Sequence, residues 1–126
     1  MDGPEHLSLW KQRLGTVPEE VWRRTGLRTL VLADNDLAEI SEKVGDLGRL
    51  RMLDLGHNRL EELPESLGRL DGLSDFLYLH DNPVMRLPES LLALPRLDKL
   101  DLRWVAGFEP PGWFAGLEAR GCTIYL

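Results

Sequence analysis

The sequence predicts an α/β fold of the repeat-solenoid kind, and three of its features predict it. Leucine-centred segments recur every 23 or 24 residues, at Leu7, Leu30, Leu53, Leu77, Leu100 and Ile124. A fixed period in this range marks supersecondary units that stack to share one core. Within each segment the side chains alternate: Leu30 and Leu32 fall on one face of a strand, Thr29 and Val31 on the other. About 18 residues separate successive strands, which suits a parallel crossover and is too long for a hairpin. The crossovers carry helix-start signals in "VPEEVW", "LPESLGRL" and "LPESLLAL". Each places Pro at a first-turn position and then acidic residues that favour the positive end of a helix dipole.

Taken in order, the units differ in instructive ways. The first is degenerate, with Leu7, Leu9, Leu14, Val17 and Pro18 in register but Gln12 where later units carry Asn. The second reads Leu27, Leu30, Leu32, Asn35, Leu37, Ile40, and the third Leu50, Leu53, Leu55, Asn58, Leu60, Leu63, Pro64. The fourth continues with Leu77, Leu79, Asn82, Val84, Leu87 and Pro88, and the fifth keeps Leu97, Leu100 and Leu102. The sixth is a stub, "CTIYL". Asn35, Asn58 and Asn82 fall where the chain turns out of each strand. Buried amides stacked there would satisfy turn N–H and C=O groups, a structural role. Leu67, Leu70 and Leu73, like Leu91, Leu94 and Leu97, turn one face of each crossover toward the strands. "RWVAGFEPPGWF" leaves the pattern, and Trp113, Phe114 and Leu117 are expected to close the core as a last crossover segment. One junction breaks step. Leu77 stands four residues after Leu73, where its counterparts stand three after theirs, so one of Ser74, Asp75 and Phe76 is extra. A slip of the whole strand would turn Leu77 and Leu79 outward, so a bulge ahead of the fourth strand is expected, with Phe76 pushed out beside Tyr78.

The L-x-x-L-x-L-x-x-N-x-L-x-x-L-P pattern, registered six times over nearly the whole chain, resembles the leucine-rich repeat family. The resemblance is to its 23-residue class with an "LPxxLxxL" second half. It implies a right-handed solenoid forming one domain over residues 1–126, with parallel strands on a concave face. It also implies short helical or 3-10 segments on the convex face, and binding on the concave side.

Composition narrows the function. With 126 residues, 43% hydrophobic and 29% charged, the chain can bury a core as a soluble domain. No apolar run reaches the length of a bilayer span, so no membrane association is expected. The N-terminus lacks the basic start and apolar centre of a signal peptide. The single cysteine, Cys122, cannot form an internal bridge, which points to a reducing, cytoplasmic setting. A net charge of −6 without a Lys/Arg run argues against nucleic acid. No Gly-rich phosphate loop, nucleophile elbow or paired Cys motif occurs, so neither an enzyme nor a cofactor is expected.

The outward strand positions can be read as columns. They gather Trp10, Phe76, Tyr78, His80, Arg103 and Trp104 with Asp54, His57, Asp81 and Asp101, while Ala33 and Gly56 leave a dip. Exposed aromatics beside Asp and Arg are the composition of protein-binding hot spots, so a protein or peptide partner on this face is the leading expectation. The same residues could instead pack across neighbouring strands for stability. His57, His80, Asp34, Asp54 and Asp81 are the only candidate metal ligands, but the repeat itself imposes their clustering. At the ends, Asp2, Pro4 and Glu5 are poor strand-pairers, whereas "TIYL" provides no dedicated cap. The chain is accordingly expected to be a monomer, or a homodimer joined edge to edge.

Overall fold

Each leucine pair becomes a three-residue strand, and each Pro-led segment becomes a single 3-10 turn. The structure is a computed structural model and describes residues 4–126. Asp2, expected to blunt the first edge, lies outside the described residues. The strands are β1 (His6–Ser8), β2 (Thr29–Val31), β3 (Met52–Asp54), β4 (Phe76–Tyr78), β5 (Lys99–Asp101) and β6 (Thr123–Tyr125). Between them run η1 (Glu19–Arg23), η2 (Glu42–Asp46), η3 (Glu65–Arg69) and η4 (Glu89–Ala93), with one α-helix, α1 (Phe114–Ala119), before β6. No helix among the described residues is long and apolar enough to cross a membrane.

The six strands form one open parallel sheet in sequence order. Its register joins Leu7 to Leu30, Leu30 to Leu53, Leu53 to Leu77, Leu77 to Leu100 and Leu100 to Ile124. The four inner members of this row have no exposed surface, and neither do Leu32, Leu55 and Leu79 beside them. Burying each such leucine contributes about 2 kcal/mol. Leucines of the crossovers, Leu47, Leu67, Leu70 and Leu91, close the same core from the opposite side. At the C-terminal end Phe114 and Leu117 of α1 are buried in it, with Trp113 packed against it.

Proline takes a position one earlier than expected. Pro18, Pro64 and Pro88 are the residues before η1, η3 and η4, with φ of −58°, −72° and −68° and extended ψ. Their ring fixes φ without committing them to the helix. Their carbonyls accept the first turn bonds, from Val21, Leu67 and Leu91. At η2 the same position is Ser41, whose side chain accepts from the Lys43 N–H.

The asparagines form the expected ladder. Asn58 Nδ2 donates to the carbonyls of Leu32, Leu55 and Gly56 at 3.1, 2.9 and 3.1 Å. Its Oδ1 accepts the N–H groups of Asn35 and Leu37 at 2.9 and 3.0 Å. Asn35 repeats the arrangement one unit back, and Asn82 one unit on. Gln12 takes part only as a donor, through its backbone N–H to Asn35 Oδ1 at 2.8 Å.

The break in step is resolved to one residue. β3 and β4 pair only at Leu53–Leu77 and Asp54–Tyr78, whereas the other junctions each pair three residues. Arg51 and Met52 both donate to the Arg28 carbonyl, but on the next unit only Asp75 donates to Arg51. Asp98 and Lys99 then divide between Ser74 and Asp75. Ser74 is therefore the extra residue, sitting ahead of β4 rather than inside it. Phe76 is half-buried on the outer face and takes no part in the leucine core.

Candidate interaction surface

Alternation within three-residue strands sends Phe76 and Tyr78 to the outer face of the sheet, and the two residues beyond each strand extend that face. Phe76 and Tyr78 lie parallel, with centroids 4.4 Å apart and planes within 7°. Lys99 Nζ stands 5.0 Å above the Phe76 ring. Tyr78 meets His80 edge-on at 5.7 Å, and His80 in turn meets His57 at 4.7 Å and Trp104 at 5.9 Å. His57 lies 6.3 Å from Trp104, and Arg103 stands 5.7 Å above that indole. One continuous aromatic run thus crosses the sheet from the inserted Ser74 toward the fifth turn. Such contacts contribute roughly 0.5–1.5 kcal/mol per pair beyond area burial.

Backbone geometry sets how these rings stand. Lys11, Asp34, His57, Asp81 and Trp104 occupy the same position in successive units, and all have φ between 53° and 60°. Their N–H groups carry the ladder past the strands: Lys11 to Ala33, Asp34 to Gly56, His57 to His80 and Asp81 to Arg103, at 3.0–3.1 Å. Asp and His tolerate this left-handed conformation better than most side chains, whereas an indole is costly there, by about 1 kcal/mol or more. Trp104 is nevertheless 68% exposed. Neither burial nor backbone preference accounts for it.

The dip expected at Gly56 is filled. The His80 ring lies across Gly56 so closely that a Cβ there would fall 2.5 Å from His80 Cε1. His80 is thereby held mostly out of solvent, with Nδ1 buried, lacking a hydrogen-bond partner and 3.8 Å from Asp101 Oδ2. Gly56→Ala is expected to swing His80 off its seat while costing about 1 kcal/mol or less, since the ring can move. Shifts of the His80, His57 and Trp104 ring signals in NMR, at a nearly unchanged denaturation midpoint, would report it.

The carboxylates divide into three kinds. Asp81 is exposed and pairs with His57 Nδ1 at 2.7 Å. Asp54 is half-buried and accepts the Gly56 N–H at 3.0 Å. Burial raises its pKa, and the Gly56 hydrogen bond and the two histidines only partly oppose this. Asp101 departs from the sequence expectation. It has no exposed surface and lies beneath Arg103, whose N–H, Nε and Nη2 all reach it, the last at 2.7 Å. Burial would raise its pKa, but the Arg103 hydrogen bonds outweigh burial and hold it below the usual range. Asp101 is unable to touch a partner and instead fixes Arg103, which stands over both Trp104 and Tyr125.

Trp10 belongs to a separate part of the face. It is 57% exposed, with Lys11 Nζ 5.8 Å from its ring. It lines a hollow of about 480 Å³ with Asp34, Asp36, His57, Asn58, Arg59 and Asp81. Among the described residues no three His, Cys, Asp or Glu come together as a metal would need. Cys122 is buried, and burial pushes its thiol up to about 11, so at neutral pH it stays protonated.

A parallel sheet of in-register leucines, an asparagine ladder and one short turn per crossover define a leucine-rich solenoid. The profile described as "Leucine rich repeat" matches residues 5–60 and 25–84, together more than half of the chain. The chain belongs to the leucine-rich repeat family. No curated relative matches the sequence. Among solved structures, the chain is similar to a leucine-rich repeat protein of Leptospira interrogans, at 27% identity and a TM-score of 0.60. That match covers 77% of this chain and 30% of the other. The leucine-rich repeat domain of the type III effector XopL shares the fold at 23% identity and a TM-score of 0.65, over 89% of this chain and 49% of its own. An internalin of Listeria monocytogenes shares it at 20% identity and a TM-score of 0.50, over 75% of this chain and 37% of its own. The chain thus spans less than half the length of each of these solved chains.

Proposed function

We propose that this chain is a non-catalytic module that holds a protein or peptide on its outer strand face, in the cytoplasm and without a cofactor. The observation that carries the reading is Trp104. It is largely exposed, it stands in a backbone conformation that disfavours an indole, and it joins an aromatic run through His80 to Tyr78. Large exposed aromatics with an adjacent Arg are enriched in binding hot spots. The family supports the same kind of partner, because leucine-rich repeat domains commonly mediate protein–protein interaction.

Trp10, His57, Asp81 and Arg103 would contribute from either side of that run. Asp54 and Asp101 would act from below, by positioning their neighbours. Replacing Tyr78 and Trp104 together by Ala is the test, with proteins captured from the native host compared between the two forms. The expected result is a loss of about thirtyfold or more in affinity for a specific partner, at unchanged circular dichroism. A partner retained at full strength would move the contact to the crossover side or the sheet edges, and the reading would be a structural or regulatory subunit instead.

A further inference from the structure

A different surface lies where the chain enters the strands. There a hollow of about 390 Å³ is lined by Arg28, Arg49, Arg51, Gly72, Ser74 and Arg96. Four arginines line it, in a chain whose net charge is −6.

The repeat explains how they meet. Arg28 and Arg51 hold the same position in successive units, two residues before the central leucine, and the Arg51 N–H donates to the Arg28 carbonyl at 2.7 Å. Arg49 and Arg96 stand one residue before Leu50 and Leu97, in the units on either side of Gly72. Gly72 lets the backbones of two units approach closely between them, where a Cβ would come within 3.0 Å of the Gly48 carbonyl. The extra residue, Ser74, adds a hydroxyl to the same hollow.

Elsewhere on the surface, charges one unit apart are matched. Glu19 pairs with Lys43, Asp36 with Arg59, Asp46 with Arg69 and Glu62 with Arg86. The hollow departs from this rule. Arg28 is held by Glu5 and Arg96 reaches the Asp71 carbonyl at 3.4 Å, but Arg49 and Arg51 have no ion pair among the described residues. Asp75, next to the hollow, accepts the Ser74 hydroxyl at 3.3 Å. Like charges on neighbouring strands are destabilising, and among the described residues two of the four have no counter-ion.

We propose that this hollow is an anion site for a phosphate group, free or as a monoester. The guanidinium fork matches two oxygens of a tetrahedral oxyanion at once, and a dianion offsets more of the repulsion than a carboxylate does. The hollow has room for the phosphate and a small substituent. Gly72 and Ser74 line its floor without adding charge.

The test is an NMR titration at constant ionic strength, first with inorganic phosphate and then with a short peptide bearing one phosphoserine. Saturable shifts are expected at the Gly72 and Ser74 amides and the Arg49 and Arg51 Nε–H groups, with a Kd in the range of about 1–10 mM for inorganic phosphate. R49Q together with R51Q should weaken binding about tenfold or more while leaving the remaining amide spectrum in place, since both side chains are exposed. Tighter binding of the phosphopeptide identifies a phosphorylated side chain as the source, and equal or weaker binding identifies the free anion; either supports the site. Shifts that chloride reproduces at equal ionic strength, or a double variant that binds phosphate as the original does, would overturn it.

Discussion

Replacing Asn58 by Leu is expected to cost about 3–4 kcal/mol, at nearly constant side-chain volume. The figure follows from asking which groups lose every partner. Asn58 Nδ2 serves three carbonyls, but each keeps another donor. The Leu32 carbonyl retains Asn35 Nδ2, the Leu55 carbonyl retains Asn82 Nδ2, and the Gly56 carbonyl retains the Asp34 N–H. The two N–H groups that Oδ1 accepts, those of Asn35 and Leu37, have no such reserve and are buried. Orphaning a buried donor costs about 1–3 kcal/mol, so the two together set the estimate. Asn35→Leu should cost less, because one of the donors it abandons belongs to Gln12, an exposed residue. Urea midpoints at an unchanged m-value would measure both. An Asn58→Leu protein within 1 kcal/mol of the original, or one more stable than Asn35→Leu, would refute the ladder as a source of stability.

That ladder was legible in the sequence because it is periodic, and so were the leucine row and the insertion. Periodicity tells which side of the sheet a residue faces and not how deeply it lies. Asp101 illustrates the difference. Its column marks it as outward, yet Arg103, two residues on, folds back across it and removes it from solvent. Gly56 reads as a dip for a similar reason, since nothing in its own unit says that His80 from the next will cover it. The pattern narrows the insertion to three residues, but only the Asp75 N–H bond to the Arg51 carbonyl, with Phe76 in register with Lys99, singles out Ser74. The arginine hollow is not legible in the strand columns, because its members are scattered over three units and lie outside them. Aligning the residues that lead into each strand, with Ser74 as the insertion, places Arg28 beside Arg51, and Arg49 and Arg96 on either side of Gly72.

Opposite responses are expected from the two aspartates beneath the aromatic run. The pKa of Asp101 is lowered on folding, because its Arg103 hydrogen bonds outweigh burial. Its ionised form therefore stabilises the fold at every pH above its unfolded value of about 3.9, and that contribution is lost as pH falls through the lower folded value. The pKa of Asp54 is raised, chiefly by burial. Its ionisation therefore opposes folding; the cost is absent below about pH 3.9 and is complete once pH has risen past the folded value. Asp101→Asn should destabilise by about 1–2 kcal/mol at pH 7, because a neutral amide makes poorer hydrogen bonds to the guanidinium. Asp54→Asn keeps an oxygen to accept the Gly56 N–H and removes the buried charge, so it should match or exceed the original at the same pH. Both differences should shrink as pH falls through 4 toward 3, the first because the carboxyl protonates and the second because the penalty disappears. Urea midpoints at pH 7, 4 and 3 would follow the pair. If Asp54→Asn proved the more damaging substitution at pH 7, the assignment of the two carboxylates would be reversed, and with it the view that Arg103 is held over Trp104 by a buried charge.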